Sequence, residues 1–405
     1  MKSYLLLLAV LATSSIALAQ APTTPKPDAP ASFAQAIESG KVSFNARLRH
    51  EHVDQDALAE RADALTLRAR LGYTTAAYQG FQAMVEAEHV TALVDDYADG
   101  VTANPGYPVV ADPEVTEVNQ AWLAYTTGSA KGTLGRQRLV LDNTRFIGDV
   151  AWRQDQQTVD AFTLQDKTID QLTFTYAYLW RINRVFGDEL DWDSDSHVIH
   201  AAYAGMPYGT LTGYGYLLDF DTPAGARPQS TATYGVSFVG SAPLSDTVKL
   251  TYRAEVATQT EYGASALDYR ADYYVGELGA AWKTFNVTAG YEVLGSDNGQ
   301  GFRTPLATLH AFNGWADVFL TTPGAGLRDT YIKVAANLPA SLQLLAFYHR
   351  FDADRGGARF GDEIDLQLVR RLTKTLSLTA KAALFDGKPG FADRDKVMLQ
   401  ADYAF

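Results

Sequence analysis

Val397-Met398-Leu399-Gln400-Ala401-Asp402-Tyr403-Ala404-Phe405 closes the chain, and its reading decides the fold. Apolar or small residues occupy 397, 399, 401, 403 and 405, with Met398, Gln400, Asp402 and Ala404 between them. Alternate side chains of a strand point to opposite faces, so one face here is greasy and aromatic and the other mostly polar. In water the greasy face would be a sticky strand edge. In a transmembrane β-barrel the same strand meets lipid outside and the lumen inside.

Working back from this strand, the period of two recurs along the chain. Val42, Phe44, Ala46 and Leu48 alternate with Ser43, Asn45, Arg47 and Arg49. Leu65, Leu67, Ala69, Leu71 and Tyr73 alternate with Thr66, Arg68, Arg70 and Thr74, and Phe81, Ala83, Val85 and Ala87 with Gln82, Met84, Glu86 and Glu88. The same pattern places Leu250, Tyr252, Ala254 and Val256 against Lys249, Thr251, Arg253 and Glu255. It returns at Phe285–Val293 and Leu376–Leu384. Turn-like segments such as Tyr78-Gln79-Gly80 and Pro339-Ala340 separate the runs. The count is about 18 strands, with 16 the alternative, since barrels of this class favour even numbers. Val115–Tyr125 and Leu342–Tyr348 fit either register. Longer loops are expected near 91–114, 142–157, 184–196, 220–229, 259–269, 295–327 and 351–362, several of them acidic.

The expected fold is therefore all-β, a transmembrane antiparallel barrel over 41–405 in the bacterial outer membrane. Residues 1–19 read as a cleaved signal peptide: Lys2, an apolar run from Tyr4 to Ala12, and Ala17-Leu18-Ala19 before the cut. Residues 20–40 read as a Pro-rich periplasmic segment, with a short helical turn over Phe33–Ser39. The competing architecture is a soluble all-β protein, because half-buried soluble strands also alternate. The signal-like leader, the closing strand and the charged face opposite the apolar one favour the barrel. The 405 residues include no cysteine, which excludes disulfides and thiolate chemistry. A net charge of −13 argues against nucleic-acid partners. The 22 Tyr and 19 Phe fit aromatic girdles at the membrane interfaces.

Strand parity assigns Arg47, Arg49, Arg68, Arg70, Lys249 and Arg253 to the lumen, where Glu51, Glu86, Glu88, Glu255 and Glu292 offset them. Such cations either contact anionic solute or form cross-strand ion pairs within the wall. Gly135–Gln154 concentrates Arg136, Arg138, Arg145 and Arg153 with Asp142 and Asp149. At a constriction, guanidinium forks bind anions and nearby carboxylates keep that binding weak. The alternative is a surface loop whose charges pair with one another or with lipopolysaccharide. His50-Glu51-His52 lacks a third metal ligand, and no EF-hand, phosphate loop, zinc helix or nucleophile elbow is present. No metal, cofactor or enzymatic activity is expected.

The terminal Phe405, with Tyr403 two residues before it, resembles the C-terminal assembly signal of bacterial outer-membrane proteins. That resemblance implies handling by the barrel-assembly machinery and contact with outer-membrane lipid. Gly135-Arg136-Gln137, Asp142–Gly148 and Trp152-Arg153-Gln154 resemble the alginate export family, as does the unusual block Phe302–Asp317. The resemblance implies an 18-stranded barrel with a charged lumen through which an anionic uronate polymer or similar solute crosses passively. His310 lies in the second block, on a loop long enough to enter the pore. There it either contacts solute or packs the loop with Phe312 and Trp315.

Overall fold

The computed structural model describes residues 30–222 and 229–405; the expected signal peptide lies outside them. A six-residue helix, α1 (Phe33–Glu38), precedes the barrel. The strands that follow are β1 (Lys41–Gln55), β2 (Ala62–Thr74), β3 (Phe81–Asp96), β4 (Val115–Thr127), β5 (Ala130–Gln137) and β6 (Thr158–Asp166). Next come β7 (Leu172–Asn183), β8 (Trp192–Met206), β9 (Gly209–Leu218), β10 (Thr231–Pro243), β11 (Lys249–Glu261) and β12 (Arg270–Ala281). The last six are β13 (Phe285–Leu294), β14 (Leu327–Leu338), β15 (Leu342–Asp352), β16 (Arg359–Arg371), β17 (Leu376–Gly387) and β18 (Arg394–Ala404). Each strand pairs antiparallel with the next, and β1 pairs with both β2 and β18, so the sheet closes as an 18-strand barrel. At the seam Phe44 and Phe405 exchange two backbone hydrogen bonds, of 3.2 and 3.1 Å.

The closing strand behaves as its alternation requires. Val397, Leu399, Tyr403 and Phe405 are exposed on the outer wall, whereas Lys396 and Met398 are buried inside. The outer wall continues through Leu48, Leu71, Val85, Leu123, Val256, Leu278, Ile332 and Ile364, all exposed. Such a surface is costly in water and matched to lipid. Turns at the end bearing α1 are short, and the loops at the other end are long, the pattern of periplasmic and extracellular ends.

Both register ambiguities have physical causes. Glu86 pairs with Gln120 and Ala87 with Val118, so Asn119 forms a β-bulge that flips the parity of β4. Asn119 and Gln120 then both reach inward to Glu86 Oε1, at 2.8 and 3.1 Å. In β15, Tyr348 faces out while Phe347 faces in against Trp315, with ring centroids 5.5 Å apart; both faces are apolar because one meets a loop. Several expected loops are shorter than read: β3 runs on to Asp96, β8 starts at Trp192, and β15 and β16 leave only 353–358 between them. A strand that extends past the hydrocarbon layer can carry acidic residues without penalty. The first inward loop is longer than read, spanning 138–157.

Candidate functional site

The lumen is occupied by its own loops. Residues 138–157 leave β5 yet touch distant parts of the wall, which requires crossing the interior. On one side Arg47 of β1 donates to the carbonyls of Ala151, Trp152 and Arg153, at 3.0, 3.1 and 3.3 Å. On the opposite side Arg145 donates to Glu292 of β13 at 2.8 Å, and Asp142 pairs with His200 of β8 at 2.9 Å. The loop 295–326 crosses from the other direction. Backbone amides of Trp315 and Ala316 donate to Asp365 and Glu363 of β16, at 3.3 and 2.6 Å. The two loops meet through a parallel bridge between Ile147 and Leu306, where Gly148 N donates to Leu306 O at 2.8 Å.

Apolar burial explains why these loops stay inside. Phe146 packs against Tyr214, Tyr273 and Phe302, at centroid distances of 5.3, 5.2 and 6.0 Å. Phe319 packs against Phe351, Phe385 and Phe391, at 4.6, 5.8 and 5.4 Å. Each buried aromatic is worth roughly 1.5–3 kcal/mol of transfer free energy. A barrel of this size, expected to line water on its inner face, thus encloses a dry core of its own.

Charges fasten the loops to the wall. Asp317 accepts from Lys396 of β18 at 2.6 Å, from Arg153 at 3.1 Å and from His310 at 2.7 Å. Lys396 also meets Glu51 at 2.9 Å, and Arg153 meets Glu51 at 3.4 Å and Asp112 at 3.8 Å. Arg49 pairs with Asp112 at 3.4 Å and lies 4.2 Å over the Trp152 ring. Three carboxylates therefore face three cations away from water. Burial alone would raise the Asp317 carboxyl, but His310, Lys396 and Arg153 hold it well below the usual range. Burial, reinforced by Lys381 and Lys396, pushes the His310 imidazole down to about 3. His310 is therefore neutral: Nδ1–H donates to Asp317, and Nε2 accepts from Lys381 at 2.6 Å. The ring stacks on Trp152 at 4.3 Å, and Lys381 lies 3.6 Å over Trp315.

The expected pore residues separate into groups. Arg49, Arg68, Arg70, Arg145, Arg153, Arg253 and His310 point inward but are buried beneath the loops. Arg68 bonds Gln154 O at 3.2 Å and Asn45, Arg70 bonds Glu88 and Gln156, and Arg253 bonds Glu255. Arg136 stands elsewhere. It is opposite Ala121 and Asp160 on the outward face, sharing the parity of the exposed Leu134. Where β5 leaves the wall, Arg136 donates to Val118 O of β4 at 3.1 Å and to Asp160 of β6 at 2.9 Å, bracing the gap. Lys249, at the periplasmic start of β11, is exposed.

Among the described residues, water-accessible cations remain at few inner positions. The Arg138 side chain is 44 % exposed beside Asp149, and that of Arg47 14 % exposed beside Asp402 at 2.8 Å. Lys333 on β14, absent from the sequence-based candidates, is half-buried, makes no ion pair among the described residues and lies 5.8 Å over Phe347. Parity would have found it, because Lys333 shares the inner face with Tyr331, whereas Ile332 is exposed to lipid. Asp112 and Asp317 carried no comparable signal, because loop residues have no period. Among the described residues, His50 and His52 share one oxygen of Asp63, at 3.1 and 3.0 Å, on the outer wall.

Comparison with known proteins agrees with this geometry. A family model described as alginate export matches residues 39–296. No curated protein sequence gives a significant match. Among solved structures, Acinetobacter baumannii OccAB4 is similar with a TM-score of 0.74 at 14 % identity, over 90 % of this chain and 98 % of that one. Pseudomonas aeruginosa OccK9 (OpdG) gives 0.74 at 15 % identity, over 91 % and 99 %. Pseudomonas aeruginosa OccK8 (OprE) gives 0.71 at 15 %, over 91 % and 99 %. At such identities the likeness is one of fold. The family match spans more than half of the chain, and with the closed barrel it establishes that the protein belongs to the alginate export family, as a porin-like outer-membrane β-barrel.

Proposed function

We propose that the barrel passes small hydrophilic anions, uronates and short oligouronates among them, down their own gradient. The observation that carries this reading is the set of inner cations that keep some exposure to water: Arg138 at the start of the first inward loop, Arg47 on β1 and Lys333 on β14. Arg47 and Arg138 each sit beside a carboxylate, and Lys333 has no ion-pair partner among the described residues. A cation already paired binds a passing anion weakly, as conduction requires. The loops narrow the lumen, which favours short solutes over a long polymer. A second reading, a general diffusion channel without uronate preference, draws on Glu86 and Glu277, which also face inward. Liposome swelling separates the two. Glucuronate entering faster than glucose supports anion passage; equal rates favour general diffusion.

The same reading takes residues 1–19 as a removed leader and 41–405 as the barrel. It takes Phe405, seated on Phe44 at the seam, as the point presented to the assembly machinery.

A further inference from the structure

We infer that α1 is an interfacial anchor, with Phe33 and Ile37 inserted among the acyl chains of the periplasmic leaflet. The helix is capped by Ser32, whose hydroxyl accepts from Gln35 N at 3.1 Å. Phe33 and Ile37 are four residues apart and so share one face. They are 67 % and 44 % exposed, whereas Ala36 is buried against the barrel. The docking contacts fix where that face points. Tyr73 donates its hydroxyl to Ile37 O, and Ala76 N donates to Ala36 O at 3.0 Å. Tyr73 is on the lipid side of β2: its cross-strand partners Val42 and Val85 are both exposed on the outer wall. The Tyr73 ring also covers Gly40, where any side chain would collide with it. The chain therefore reaches the barrel along the outside of the wall, away from the pore mouth.

This apolar face continues one already turned to lipid. Val42, Leu71, Tyr403 and Phe405 lie on the same outer surface around the seam. Six residues are too few to hold a membrane alone, but this helix is tethered to the barrel and pays no cost of association. The inference rests on wall geometry and stands whether or not the transport reading holds.

The chain has no cysteine, so a single introduced thiol gives a unique spin-label site. Phe33→Cys, Ile37→Cys and Glu38→Cys variants would be labelled in phospholipid vesicles and their access to oxygen and to a water-soluble nickel chelate compared. Phe33 is exposed enough to be replaced without loss of packing, and Ile37 gives an independent second reading of the same face. Labels at 33 and 37 should be oxygen-accessible and chelate-protected, and the label at 38 the reverse. Equal chelate access at all three sites would overturn the anchor. So would protection of 33 and 37 from both reagents, as a protein contact would give.

Discussion

Asp317→Asn removes one carboxylate from the buried cluster and keeps its shape. In the parent, Glu51, Asp112 and Asp317 balance Arg49, Arg153 and Lys396. Without Asp317, Lys396 retains only Glu51, and a net positive charge stays buried. Breaking a buried ion pair by removing one partner costs about 3–5 kcal/mol. Water entering the lumen would relieve part of that, so about 3 kcal/mol is a fair expectation for release of the 295–326 loop. At roughly 1.4 kcal/mol per tenfold, the docked-to-released ratio should fall about a hundredfold. The barrel ladder itself is untouched, so heat-modifiable gel mobility should persist. Hydrogen exchange at the Trp315 and Ala316 amides, which donate to Asp365 and Glu363, should accelerate by about that factor, with added flicker in single-channel records. Exchange within about twofold of the parent would refute the claim that this cluster fastens the loop.

Arg138→Ala should shift the reversal potential away from anions, while Arg136→Ala, on the outer wall, should leave it unchanged; equal shifts would show that both guanidiniums sense the pore. Deleting Phe405 should impair insertion into the outer membrane, because Phe44 loses both backbone partners; normal assembly measured by heat-modifiability would contradict this. The His310 pKa is depressed from 6.5 to about 3 in the docked loop, so only the released loop takes up the proton as pH falls below 6.5. Docking should therefore weaken between pH 6.5 and about 3, by up to roughly 1.4 kcal/mol per unit, with loop exchange rising accordingly; His310→Gln should flatten that dependence, and a parent-like slope would assign it elsewhere.

The wall was legible in the sequence because a half-lipid, half-lumen strand must alternate. The closing strand, the 18-strand count and the inward parity of Arg47, Arg49, Arg68 and Arg70 all follow from that period. Where the period is interrupted, reading faltered: the Asn119 bulge hides the parity of β4, and β15 carries Leu345 and Phe347 inward against a loop. Arg136 was assigned by family likeness rather than parity, and its register opposite Ala121 places it outside. That the loops around Gly135–Gln154 and His310 could enter the pore was legible in composition and length, but the partners that hold them there were not. Asp112 and Asp317 meet Arg49 and Lys396 only after the loops turn inward, a long-range packing event with no local pattern.

The most direct test of the central claim is the reversal potential of single channels in planar bilayers under a potassium chloride gradient, with and without added oligouronate. The account predicts stepwise conductance, modest anion preference and block by oligouronate that weakens in Lys333→Glu. Cation preference, or no conductance from a correctly folded barrel, would contradict it.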